Sequence, residues 1–122
     1  MTYTISKRFD FCASHILEGL LPEHQCGRLH GHNYSVTMHL RSQALDSTGF
    51  VRDYGELDHV KITIDTILEH RHLNEVFDFN PTAENIARWF YWKFEHQYPE
   101  LYAVTVKETD KTEARYEPSE GN

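Results

Sequence analysis

The chain has no run approaching the roughly 18 apolar residues that a membrane-spanning helix needs, and its first residues lack the apolar core of a secretion signal. The expectation is a soluble, cytoplasmic protein that engages no membrane. Cysteine is scarce: Cys12 and Cys26 are the only two among 122 residues. That is too few for a secreted disulfide scaffold and is compatible with free thiols. Positive charge is also short, with 12 lysines and arginines against 19 aspartates and glutamates, a formal charge of −7. Such a balance leaves no basic footprint for sequence-independent nucleic-acid binding, although a local basic pocket for a small anion stays compatible with it. The glycines form neither a phosphate loop nor a dinucleotide fingerprint. No repeat or low-complexity block appears, and only Glu117 to Asn122 reads as a polar tail.

What is present suits one modest core. With 39% hydrophobic and 13% aromatic residues in 122, the chain is too short for two independent cores, so 1–122 reads as a single domain. From Tyr3 to Ala13 the residues Tyr3, Ile5, Phe9, Phe11 and Ala13 share one parity, interrupted by Lys7, which predicts a strand covered on one face. From His32 to Leu40 the alternation is cleaner, with Tyr34, Val36, Met38 and Leu40 on the face of His32. A long loop, His15 to Leu29, joins the two strands, and loops held by a sheet are where reactive side chains collect.

Asp53 can cap a helix whose apolar positions Leu57, Val60, Ile64, Ile67 and Leu68 recur at helical spacing, ending near Glu69 or His70. Asn80-Pro81-Thr82 signals a second helix start, with Asn80 or Thr82 as cap, followed by Ile86, Trp89, Phe90 and Phe94 before Pro99. Two strands close the chain, Leu101 to Glu108 and Glu113 to Glu117. The order ββααββ predicts an α+β fold: a four-stranded antiparallel sheet with two helices on one face. Two strand edges and one broad face would then lack a cover within the monomer, which favours self-association.

Nine histidines prompt a search for a metal centre, and position matters more than number. His30-Gly31-His32 sets two imidazoles on one strand face with a glycine between them that permits close backbone approach. His15 reaches the same end of the sheet if the first two strands pair antiparallel. Three imidazoles suit zinc, with an open position for water or substrate in a catalytic site. Cys26 is either a fourth ligand closing a structural site or a nearby thiolate, its pKa lowered by the metal charge and Arg28, serving as base or nucleophile. Cys12 reads as a non-catalytic thiol. Glu69-His70 lies at a predicted helix end, where adjacent side chains cooperate only if the helix turns, and a carboxylate can then bias a proton-carrying histidine. His72 competes for that task. Glu108 ends the third strand, either as a surface residue or as an acceptor of two hydrogen bonds from an amidine-like edge, such as that of a pterin or guanine.

Phe11-Cys12-Ala13-Ser14-His15, Cys26-Gly27-Arg28-Leu29-His30-Gly31-His32-Asn33, Leu68-Glu69-His70 with Leu73-Asn74, Asn80-Pro81-Thr82-Ala83-Glu84-Asn85 and Val106-Lys107-Glu108-Thr109 together resemble the 6-pyruvoyltetrahydropterin synthase / 6-carboxytetrahydropterin synthase family. The likeness runs from about Ile5 to Tyr116. It implies a tunnelling fold (T-fold) in which three subunits join their sheets into a barrel and two trimers stack into a homohexamer, with the site between subunits. It implies zinc on His15, His30 and His32, a catalytic thiol at Cys26, a paired acid and histidine at Glu69 and His70, and a pterin anchor at Glu108.

The compact Cys-Gly-Arg-Leu-His-Gly-His spacing is similar to the bacterial 6-carboxy-5,6,7,8-tetrahydropterin synthase branch, which serves 7-deazaguanine and queuosine biosynthesis. That branch converts 7,8-dihydroneopterin triphosphate and water to 6-carboxytetrahydropterin, acetaldehyde and triphosphate, a lyase reaction. Arg28, Lys107 and Lys111 are basic candidates for triphosphate contact. The alternatives are the pyruvoyl branch, which eliminates triphosphate and keeps the side-chain carbons, and a zinc-stabilised binding module without catalysis. One position departs from the family: Glu69 stands where aspartate is usual, and its extra methylene displaces the carboxylate by about an ångström, an error worth on the order of 100-fold in rate if geometry is critical.

Overall fold

Two long alternating strands form the centre of the fold. In the computed structural model, which describes residues 1–119, β1 (Tyr3–His15) and β2 (His30–Ser42) pair antiparallel without a break, from Tyr3↔Ser42 to His15↔His30. Both strands extend beyond the alternation read in the sequence, and the extension carries His15 and His30 into the sheet. Phe9, Phe11, Ala13 and His15 of β1 and Tyr34, Val36, Met38 and Leu40 of β2 are buried on one face. Lys7, the one charge on that parity, stays partly exposed and donates to Tyr54 O at 3.2 Å.

Asp53 does cap the next segment, accepting from Gly55 N–H at 2.9 Å. The segment is not one regular helix, however. A 3₁₀ turn (Tyr54–Leu57) leads into α1 (Asp58–Thr63), which widens into a π-helical turn (Ile64–Leu68). Leu57, Val60, Ile64 and Leu68 are buried all the same. A short β3 (Arg71–His72) then runs parallel to β1, followed by α2 (Leu73–Val76). α3 (Ala83–Phe94) starts at Thr82, whose hydroxyl accepts from Asn85 N–H at 3.1 Å. β4 (Leu101–Thr109) pairs with β2, and β5 (Thr112–Tyr116) pairs with β4.

Among the described residues the sheet is therefore five-stranded and mixed, in the order β3-β1-β2-β4-β5, and three helices replace the expected two. The four-stranded antiparallel expectation fails because β3 has two residues and α2 has four, both too short to show any hydrophobic period. Its α+β class holds. Side chains such as Met38, Leu40, Leu57, Leu68, Leu73 and Phe90 fill the space between sheet and helices, each worth about 1.5–3 kcal/mol on burial. On the other face, Arg8, Asp10, Cys12 and Asn33 are exposed, so that surface stays without a cover among the described residues. No helix among them is long and apolar enough to cross a membrane. Of the polar end Glu117 to Asn122, residues 120–122 lie outside the described residues, and 117–119 belong to no regular element.

Candidate metal centre and its neighbouring acid–base cluster

The β1/β2 register determines where the imidazoles meet. His15 lies opposite His30 and Ala13 opposite His32, so the three rings converge at one end of the core face. Their centroids are 4.4 to 5.1 Å apart and the planes steeply inclined, between 67° and 86°. Gly31 is not needed for close approach, since a Cβ there would meet Ala13 O at an ordinary 3.4 Å.

Hydrogen bonding determines which nitrogens are free. His15 Nδ1 is 2.8 Å from Pro81 O and His30 Nδ1 is 2.7 Å from Arg28 O. A carbonyl can only accept, so both rings spend their proton there, and Tyr34 Oη at 3.1 Å shares the His15 proton. The Nε2 atoms of His15 and His30, 2.8 Å apart, then present lone pairs to each other. That is repulsive unless a proton or a metal ion stands between them, and the Nδ1-to-carbonyl bonds are the outer-sphere arrangement typical of metal-bound histidine. Burial, reinforced by the crowd of imidazoles around it, lowers the His15 pKa to about 4, although the Pro81 carbonyl opposes the shift. Burial and then His30 also lower that of His32. Near neutral pH both rings are in the neutral form that ligates.

Glu108 faces this centre, on the parity of Val104 and Val106. Its Oε2 is buried, accepts no hydrogen bond, and lies 3.5 Å from His15 Nε2 and 3.7 Å from His32 Nε2. Burial raises its pKa, with His30 opposing and Glu84 of the first α3 turn adding to the rise. An orphaned buried acceptor beside three imidazoles is out of place in a purely structural core. The donor set fits zinc.

Glu69 and His70 lie where the helical segment stops. Glu69 N–H donates to Ile64 O at 2.8 Å, and the chain then turns through His70, whose φ of +57° is left-handed. That turn lets the adjacent side chains meet, with His70 Nε2 3.3 Å from Glu69 Oε1. They do not meet alone. Glu69 Oε1 accepts from Cys12 N–H at 3.0 Å, His70 N–H donates to Cys12 O at 2.7 Å, and the Cys12 thiol donates to Asn33 Oδ1 at 2.6 Å. The Cys12 thiol, expected to stand apart from any site, therefore belongs to the cluster. The β3–β1 pairing brings Glu69 and His70 to Cys12, and the β1/β2 register brings Asn33, so the linear sequence carried no signal for the group.

Cys26 sits half-buried in a 3₁₀ turn (Gln25–Gly27), its N–H donating to His24 Nδ1 at 3.0 Å and its carbonyl accepting from Leu17 N–H at 3.1 Å. Among the described residues it joins neither the imidazole group nor the Glu69–His70 group. His72 is tied to Ser14 Oγ at 2.9 Å. Two asparagines clamp the start of the long loop by pairs of main-chain bonds, Asn74 to Ile16 and Asn80 to Glu18. An open depression of about 610 Å³ is lined by Cys12, Asn33, His70 and His72 and, of the three imidazole residues, by His32 alone.

A helix-backed sheet whose core face ends in three converging imidazoles is a T-fold domain with a candidate metal centre. The chain belongs to the family described as 6-pyruvoyl tetrahydropterin synthase, whose match covers residues 4–119. It is 36% identical over 123 residues to 6-carboxy-5,6,7,8-tetrahydropterin synthase of Synechocystis sp., covering 93% of this chain and 92% of that protein. To the Bacillus subtilis protein of the same name it is 28% identical, covering 79% and 73%. The solved structure of Caenorhabditis elegans 6-pyruvoyl tetrahydropterin synthase superposes with a TM-score of 0.84 at 27% identity, over 98% of this chain and 97% of that one.

Proposed function

We propose that the chain, acting as a single domain over 1–122, is a zinc-dependent 6-carboxy-5,6,7,8-tetrahydropterin synthase. It converts 7,8-dihydroneopterin triphosphate and water to 6-carboxytetrahydropterin, acetaldehyde and triphosphate, and so serves 7-deazaguanine and queuosine biosynthesis. The carrying observation is the pair of Nε2 atoms of His15 and His30 facing each other at 2.8 Å beside His32, an arrangement that a bound cation would satisfy. The likeness to the Synechocystis protein along nearly the whole chain supports the choice of branch.

His15, His30 and His32 hold the ion, which when bound supplies Lewis acidity toward the oxygens of the substrate side chain. Glu108 offers its unpartnered buried oxygen to the N–H edge of the pterin and so orients the ring. Cys26, as thiolate, removes a carbon-bound proton, while His70, oriented by Glu69, exchanges a proton at another side-chain position. Because Glu69 and His70 group with Cys12 rather than Cys26, the reading has the site completed between subunits. Trimers whose sheets close into a barrel, stacked as hexamers, achieve that and cover the bare sheet face.

Incubation of zinc-loaded protein with 7,8-dihydroneopterin triphosphate tests the reading. Acetaldehyde and the 6-carboxy product in equal amounts are expected. Release of triphosphate with the side-chain carbons retained would assign the pyruvoyl reaction instead. No turnover by stoichiometrically loaded protein would favour a zinc-stabilised binding module.

A further inference from the structure

Cys12, Glu69 and His70 each offer one ligand atom, and these atoms lie within 4.8 Å of one another. Thiolate, carboxylate and imidazole around one point form a set for a borderline or soft divalent ion, and contraction by a few tenths of an ångström per ligand gives the 2.0 to 2.3 Å bonds of such an ion. The group is pre-positioned by the main chain. β3 pairs Arg71 with Ala13, His70 N–H is bonded to Cys12 O, and the left-handed His70 turns its ring back over β1. Glu69 is oriented by the Cys12 N–H, and Asn33 Oδ1 stands beside the sulfur. Unlike the imidazole centre, the cluster faces solvent, with Cys12 and His70 exposed.

We propose that Cys12, Glu69 and His70 form a second site, for a thiophilic divalent ion, and that its occupation removes the Glu69–His70 pair from proton transfer. The inhibitory half rests on the reading of that pair under the proposed function; the binding half does not. On coordination the Cys12 thiol releases its proton to solvent and binds as thiolate, the neutral His70 ring binds through a nitrogen lone pair, and no redox step is involved. The chain then carries two ions of different character: one tightly enclosed by imidazoles, and one exposed and removable by chelator, which makes turnover sensitive to excess metal.

Cadmium chloride added to protein already holding one zinc provides the test. One further equivalent is expected to bind with an ultraviolet sulfur-to-cadmium charge-transfer band, and turnover should stop as the band grows. Cys12→Ser should keep its zinc, show no band, and turn over at the same rate with and without added cadmium. Cys26→Ser should retain the band. His70→Asn should weaken cadmium binding by at least about tenfold, the scale on which losing even an outer partner of a ligand is felt. A band that survives Cys12→Ser, or disappears in Cys26→Ser, would overturn the site. A Cys12-dependent band with turnover unaffected would overturn the role given to Glu69–His70 while leaving the site in place.

Discussion

The Nε2 atoms of His15 and His30 face each other across 2.8 Å with both ring protons committed elsewhere, to the Pro81 and Arg28 carbonyls. His32 completes the triangle from the next core-facing position of β2. In His32→Ala, zinc affinity should fall by more than the roughly 10–100-fold that loss of an outer-sphere partner costs, and turnover should fall with it. Metal analysis after dialysis reads this directly. Full zinc retention in the variant would remove His32 from the ligand set.

Removing the metal exposes the pH behaviour of the centre. His15 titrates near 4 in the metal-free fold against 6.5 for an open histidine. Between those values the unfolded chain binds a proton that the fold refuses, so stability rises with pH in this window and is lost as pH falls from about 6.5 toward 4, by on the order of 3 kcal/mol. His32, shifted in the same direction, adds to the loss. Glu108, whose pKa is raised by burial, works against it: the fold keeps its proton longer than the unfolded chain does, and that contribution fades as pH rises past the carboxylate range. Urea melts of the metal-free Glu108→Gln variant across the window should therefore show the steeper acid loss. A flat profile there would mean that His15 is not buried as a neutral ring.

Glu69, the departure from the family's usual aspartate, reaches two groups with one oxygen, Cys12 N–H at 3.0 Å and His70 Nε2 at 3.3 Å. Shortening it in Glu69→Asp withdraws the carboxylate by about an ångström, and kcat should drop on the order of 100-fold with KM little changed. Steady-state kinetics separates the two parameters. An unchanged kcat would show that the left-handed turn at His70 orients the ring without help from the side chain.

The core of this account was readable from residues alone where the pattern was long. Thirteen-residue β2 shows its parity through four consecutive buried positions, Tyr34, Val36, Met38 and Leu40, which put His30 and His32 on the same face. The antiparallel pairing needed to add His15 followed from two strands and one loop. Below that length the pattern fails. Arg71–His72 is a strand only because Ala13 and Ser14 lie beside it, and apolar spacing cannot tell a regular helix from the 3₁₀, α and π succession between Tyr54 and Leu68. The pairing of Cys12 with Glu69, 57 positions away, is a property of the tertiary fold. The turn that lets Glu69 and His70 cooperate could be stated only as a condition, and the structure meets it.

Cys26 and the imidazole centre should separate cleanly under mutation. Cys26→Ala is expected to keep stoichiometric zinc while losing most of its turnover, a loss of about 100-fold or more for an acid–base group. Metal content and product formation measured on the same preparation decide the matter. Parallel loss of both would place the thiol on the metal.

The most direct measurement is zinc-edge X-ray absorption on protein loaded with a single equivalent of zinc, so that the more exposed Cys12 cluster stays empty. The expected spectrum shows three imidazole nitrogens and one lighter-atom neighbour near 2.0 Å, with no sulfur shell. A sulfur scatterer near 2.3 Å, or fewer than three imidazoles, would contradict a catalytic centre built on His15, His30 and His32.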